Sequence, residues 1–160
     1  MSEIPQANTQ PVFSIEKIYV KDLSLEIPNA PAVFLEREQP AVDIQLHHNS
    51  TAIEDGVYQT VLTATVTAKA GDRTLFLVEA AQAGIFTVRN LPQSEVEPLL
   101  AIACPNILFP YVREVISDAT TRAGFPPVIL SPVNFEAIYA QQRQQAASDA
   151  VQIITPGVSH

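Results

Sequence analysis

Residues Cys104 to Phe135 read CPNILFPYVREVISDATTRAGFPPVILSPVNF, and this stretch decides the class of fold. Pro105 and Pro110 bracket a helix start, because proline is tolerated in a first turn and costly further in. Leu108, Tyr111, Val112, Val115, Ile116 and Ala119 recur at helical spacing, so a main helix is expected from about Asn106 to a stop at Gly124. After it comes a connector rich in Pro126, Pro127 and Pro132 that is apolar instead of polar. Connectors normally run over the surface and satisfy their backbone with water. Phe125, Val128, Ile129 and Leu130 therefore either close a core or wall a groove that receives another apolar segment.

Working outward, Asn134 caps a last helix through about Ala147, with Phe135, Ile138 and Tyr139 on one side. Ser94, followed three residues later by Glu97, has the form of a capping box for a short leading helix ending near Cys104. Upstream the periodicity changes from helical to two. Strands are expected over roughly 13–26, 41–48, Val57 to Lys69 and Arg73 to Val88. Ala70-Gly71-Asp72 joins the last two as a hairpin, since a short Gly-Asp loop supplies the positive φ that such turns demand. In the first strand Ile18, Val20, Asp22, Ser24 and Glu26 fall on one face, with Tyr19, Lys21, Leu23 and Leu25 on the other. Pro28, Pro31 and Pro40 bracket a connector holding Val33, Phe34 and Leu35, too rich in proline for a central strand. Strands first and helices after argue for an α+β fold: a four-stranded antiparallel sheet, then two main helices and the short leading one. A single domain over 12–147 is expected, between a disordered tail at 1–11 and a mobile one at 148–160.

The composition narrows the function. The chain has 160 residues, of which 47% are hydrophobic and 16% charged, with a net charge of −8. A chain this apolar leaves surface for partners to cover, oligomerisation being the simplest. Its acidity disfavours nucleic acid and anionic lipid and favours basic partners, although simple solubility explains it equally well. A lone Cys104 forms no internal disulfide and suits a reducing compartment. The N-terminus lacks the basic and apolar regions of a signal peptide, and proline and polar residues interrupt any stretch long enough for a bilayer, so a cytoplasmic protein is expected.

Enzyme motifs are missing: no GxGxxG, P-loop, GxSxG or Cys/His metal spacing occurs. His47 and His48 are adjacent and on a strand point to opposite faces, so they cannot grip one metal ion; exposed loop histidines are the expectation. Cys104, beside Pro105 in an apolar setting, reads as a buried structural thiol. Neither catalysis nor a cofactor or metal is expected.

Two surfaces remain as candidates for binding. Asp22 and Glu26 lie on one side of the first strand, and Leu77, Glu79 and Ala81 on one side of the fourth. They form either a flat anionic platform or ordinary polar-out alternation. Val78, Ala80 and Gln82, on the opposite side of the fourth strand, admit another layer closely, most simply the chain's own helix. Phe34, Leu35, Val42, Ile44, Leu46, Phe125, Val128, Ile129, Phe135, Ile138 and Tyr139 flank the two proline-rich connectors. Each alone is more often core than site; together they outline a groove for an unfolded chain.

Four stretches give the sequence a family likeness: IYVKDLSLEIPNAP (Ile18 to Pro31), FLVEAAQAGIF (Phe76 to Phe86), CPNILFPYVRE (Cys104 to Glu114) and SPVNFEAIY (Ser131 to Tyr139). In this order they resemble the SecB family of protein-export chaperones. The resemblance implies a cytosolic homotetramer, a dimer of dimers, that holds unfolded precursors without ATP and hands them to the SecA ATPase. It also implies that Asp22, Glu26, Leu77 and Glu79 dock the basic, zinc-bearing tail of SecA. Val78, Ala80 and Gln82 match family positions where dimers associate, the first two departing from the common Cys and Val. SecB-like chaperones also stabilise antitoxins, so a dedicated antitoxin chaperone is the alternative.

Overall fold

The computed structural model describes residues 9–154; the expected tails outside that range lie beyond the described residues. Four strands, β1 (Val12–Glu26), β2 (Ala41–Glu54), β3 (Val57–Ala70) and β4 (Arg73–Arg89), precede the helices. The sheet is antiparallel with order β1-β4-β3-β2, so the meander β2-β3-β4 brings β4 back beside β1, and β1 and β2 are the two edges. The β3–β4 hairpin closes where expected: Ala70 pairs with Arg73 around Gly71, whose φ is +59°. A 3-10 turn, Ala32–Leu35, carries the chain from β1 to β2.

Two bulges decide what β1 presents. Register shifts between Ile15 and Lys17 and between Val20 and Asp22 insert Glu16 and Lys21 as extra residues. Each insertion re-aims the strand after it. Phe13, Ile15, Ile18, Val20, Leu23 and Leu25 thus all face the side of Val88, Phe86, Gly84, Gln82, Ala80 and Val78, while Asp22, Ser24 and Glu26 face the other way. Strict alternation had put Ile18 and Val20 with Asp22; the bulge separates them. β2 runs on past His48 to Glu54, pairing with β3 through the Asp55-Gly56 turn.

The helical part also departs from expectation. A short α1 (Gln93–Pro98), a π-helical turn (Leu99–Ala103) and α2 (Cys104–Arg122) form one continuous helix from Gln93 to Arg122. Prolines 98 and 105 lack the N–H groups an α-helix would use, and the wider turn between them carries the chain through, Cys104 N–H reaching Leu99 O. Ser94 makes no cap, because Pro92 occupies that position. By length and composition this helix, with a mean hydropathy of 1.5 in its best window, is apolar enough to cross a bilayer, contrary to the reading of interrupted segments. It lies instead along the sheet, with Cys104, Leu108, Val112 and Ile116 fully buried against β3 and β4. Tyr111, expected in that stripe, is 48% exposed, so the buried stripe is narrower than the apolar one.

Gly124 ends α2 in a Schellman motif, with Gly124 N–H donating to Thr121 O and Phe125 N–H to Thr120 O. Thr120 also accepts from Val128 N–H at 3.0 Å, which straps the following connector to the helix. Asn134 caps α3 (Phe135–Ile154) as expected, its Oδ1 accepting from Ala137 N–H at 3.0 Å, and the helix continues past Ala147.

Candidate functional site

The two faces of the sheet carry different chemistry. On the face away from α2, cross-strand rows run Glu26–Leu77–Thr67–Asp43, Ser24–Glu79–Thr65–Gln45 and Asp22–Ala81–Thr63–His47. Asp22, Glu26, Leu77 and Glu79 are therefore contiguous, in two diagonal steps across the β1–β4 pair. Thr65 Oγ1 donates to Glu79 Oε2 at 2.9 Å and holds that carboxylate upright between its neighbours. Asp43, which the sequence reading passed over, extends the acidic surface to β2; its signal was the same period of two. The platform offers exposed carboxylates with Leu77 half-buried among them, a surface suited to a basic segment with an apolar residue.

The inner face holds the core in its middle and apolar margins at both edges. Val78, Ala80 and Gln82 are only 1%, 1% and 3% exposed under α2, with Gln82 Nε2 donating to Tyr19 O at 3.2 Å. Packing on the chain's own helix, the simpler of the two sequence readings, is what they do; within one chain they leave no surface for a second subunit. The free apolar surface lies beside them on β1, where Phe13, Ile15, Val20, Leu23 and Leu25 are all exposed. Strict alternation hid that margin, and only the bulges reveal it.

The proposed groove residues divide into two patches. In one, Phe34 stacks on Phe125 (ring centroids 5.2 Å apart), and Phe125 in turn meets buried Phe76 at 4.9 Å. Phe34, Leu35 and Ile129 are exposed around that aromatic step, and Val128 is half-buried. In the other, Leu46, His47, His48, Leu62, Phe135, Ile138 and Gln142 line a small pocket between β2 and α3. Tyr139 is half-buried one residue further along, beside Arg143. Exposed Val42 and Ile44 join the patches along β2, since Val42 shares a cross-strand row with Phe76 through Ala68. Phe135 differs from the rest: at 3% exposure, against Phe109 and His48, it is core and offers nothing to a client.

His47 and His48 do point to opposite faces, but mid-strand rather than in a loop, His47 exposed and His48 half-buried. Burial holds the His48 imidazole below its usual pKa, with His47 adding a smaller effect in the same direction. Cys104 is fully buried, and burial pushes its thiol up to about 12 despite a hydrogen bond with Thr60. A nucleophile needs the thiolate, so this cysteine is structural. Among the described residues no cluster of three metal-ligating side chains occurs.

The model of the family described as "Preprotein translocase subunit SecB" matches residues 6–146. The chain belongs to the SecB family. The protein-export protein SecB of Dechloromonas aromatica is 60% identical over 148 residues, covering 92% of this chain and 97% of the relative. That of Nitrosospira multiformis is 63% identical over 141 residues, covering 88% and 89%. Among solved structures, the Mycobacterium tuberculosis SecB-like chaperone Rv1957, in complex with a ChAD peptide from the HigA1 antitoxin, matches with a TM-score of 0.63. At 17% identity, over 76% of this chain and 91% of that one, it supports the SecB-like fold alone. In this chain, exposed carboxylates and exposed apolar side chains lie on opposite sides of one sheet.

Proposed function

We propose that this protein is an ATP-independent holdase of the cytosol that binds unfolded precursor proteins and delivers them to SecA for export. The observation that carries the reading is the open apolar path from Phe34 and Phe125 along Val42 and Ile44 to Ile138. An unfolded chain exposes apolar side chains that such a path covers at about 25 cal/mol per Å² without reading sequence. No reaction, cofactor or metal is assigned, and release of the client falls to the partner.

The acidic platform of Asp22, Glu26, Leu77 and Glu79 is the docking surface for the basic tail of SecA. Nucleic acid and anionic membranes are repelled by the same charge. Assembly as a dimer of dimers draws its support from the apolar margin and open edge of β1 and from exposed Tyr111 on α2. Large exposed apolar patches of this kind are surfaces that other chains cover. Under this assembly Val78, Ala80 and Gln82 act from beneath α2, by fixing the height at which that helix rides on the sheet. The antitoxin reading has weaker support, because the relatives near 60% identity are export proteins whereas the antitoxin-bound chaperone matches at 17%.

Suppression of aggregation tests the holding role. With no nucleotide present, stoichiometric protein should keep a denatured precursor in solution, and Ile44→Asp with Ile129→Asp should weaken that effect. A precursor that aggregates at the same rate with and without the protein would end the holdase reading.

A further inference from the structure

The pocket between β2 and α3 contains a feature that client holding does not use. His48 projects from β2 on the inner face, paired across the strand with buried Leu62, and its ring meets the Phe135 ring edge-on with centroids 6.0 Å apart and planes at 79°. Phe135 is the first residue of α3 and is itself wedged against Phe109 of α2. The imidazole is thus one of the contacts that seat the first turn of α3, beside Leu46 and Leu62 of the sheet and the apolar π-helical turn. We propose that His48 is a proton-sensitive latch for α3, its neutral ring seating Phe135 and its protonated ring releasing the start of that helix.

The surroundings explain the direction. Facing His48 from β3 is Leu62, and from α3 are Phe135, Ile138 and the neutral amide of Gln142. The π-helical turn that packs against β2 and α3 is entirely apolar, Leu99-Leu100-Ala101-Ile102-Ala103. His47 borders the pocket from the same strand with its side chain alternating to the other face, where a positive charge on it would also disfavour charging His48, and Glu136 in the first turn of α3 is exposed. Glu97, Tyr139 and Arg143 line an adjoining pocket between α1 and α3, on the other side of the shared Gln142, and Cys104 of α2 is buried and neutral. Among the described residues no carboxylate comes within ion-pair distance of His48. A charge placed there loses water and gains no counter-ion, so the docked state favours the neutral ring. Burial lowers the pKa from its ordinary value, in agreement. The sign follows: docking is fully supported above the ordinary histidine pKa of about 6.5 and is lost progressively as pH falls toward the depressed value.

Release would uncover Phe135 and more of Leu46 and Ile138, enlarging the groove; that consequence rests on the client-holding reading, while the latch itself does not. Hydrogen–deuterium exchange of the full-length protein at about pH 7.5 and pH 5.5, corrected for intrinsic rates and referenced to α2, reads the latch directly. Protection over 135–147 should fall at the lower pH by at most about tenfold in all, because pH 5.5 lies about one unit below the ordinary histidine pKa. In His47→Asn protein, the His48 imidazole proton signal should titrate below 6.5. Both His48→Leu and His48→Gln should remove the pH dependence of α3, either one sufficing if the other does not fold. A His48 midpoint at or above 6.5, or pH-dependent loosening of α3 that persists without His48, overturns the proposal. Client capture measured on the same samples separates the two readings: failed capture with a working latch refutes only the groove.

Discussion

Reversing the charge of Glu79 separates the two faces of the sheet. Glu79 lies opposite Ser24, so Asp22 and Glu26 are its diagonal neighbours at about 7–8 Å. At that distance two carboxylates repel by about 0.5 kcal/mol each in water, and the ~8 Å Debye length of physiological salt cuts this further. Glu79→Lys turns that repulsion into an attraction of similar size, both reduced by salt, and loses the Thr65 hydrogen bond, a net contribution of about 1 kcal/mol. The two nearly cancel, so stability stays within about 1 kcal/mol of the native protein. A basic side chain docked about 4 Å from Glu79 gains about 1 kcal/mol, and reversal turns this attraction into an equal repulsion. The difference of about 2 kcal/mol is a loss of roughly 30-fold in affinity at low salt. Titration calorimetry with the C-terminal segment of SecA, at two salt concentrations, measures it. The reasoning is refuted if Glu79→Lys binds that segment as tightly as the native protein, or if client holding falls with it.

One further substitution and one chemical probe address the core. Leu108→Ala removes a fully buried side chain between α2 and the sheet and should cost about 3–5 kcal/mol in urea unfolding at fixed protein concentration; a loss below 1 kcal/mol would mean α2 does not pack there. Cys104, with its thiol raised to about 12 by burial, should resist alkylation at pH 8 in the native protein and react normally in urea. Native and unfolded rates that match would contradict that burial.

The parts of the fold written in local chemistry could be read from the chain. The Gly71-Asp72 hairpin, the Gly124 stop and the Asn134 cap each depend on one or two residues and their neighbours. The acidic platform was legible for a related reason, since Asp22 and Glu26 follow the second bulge of β1 and keep a common face without further interruption. Bulges have no comparable signature: Glu16 and Lys21 look like ordinary strand residues, and only pairing with β4 shows that they are extra. The end of β2 was misplaced because polar His48-Asn49-Ser50-Thr51 resembles a loop, yet β3 supplies partners for all of it. Pro105 and Pro110 read as the start of a new helix because proline is costly in a helix interior, whereas a π-helical turn carries the chain unbroken from Pro98 through Pro105. Phe135 and Ile138 have the same helical spacing to the eye. Burial of Phe135 is decided by Phe109 and His48, which are remote in sequence.

The central claim is that one assembly holds an unfolded chain on one surface and meets its basic partner on another. Light-scattering mass tests it most directly, on the protein alone, with an unfolded precursor, and with the SecA segment. The account predicts a particle near four times 17.4 kDa that gains mass with each addition and, as Glu79→Lys, still gains mass with precursor alone. A particle of 17.4 kDa whose mass neither addition changes would contradict it.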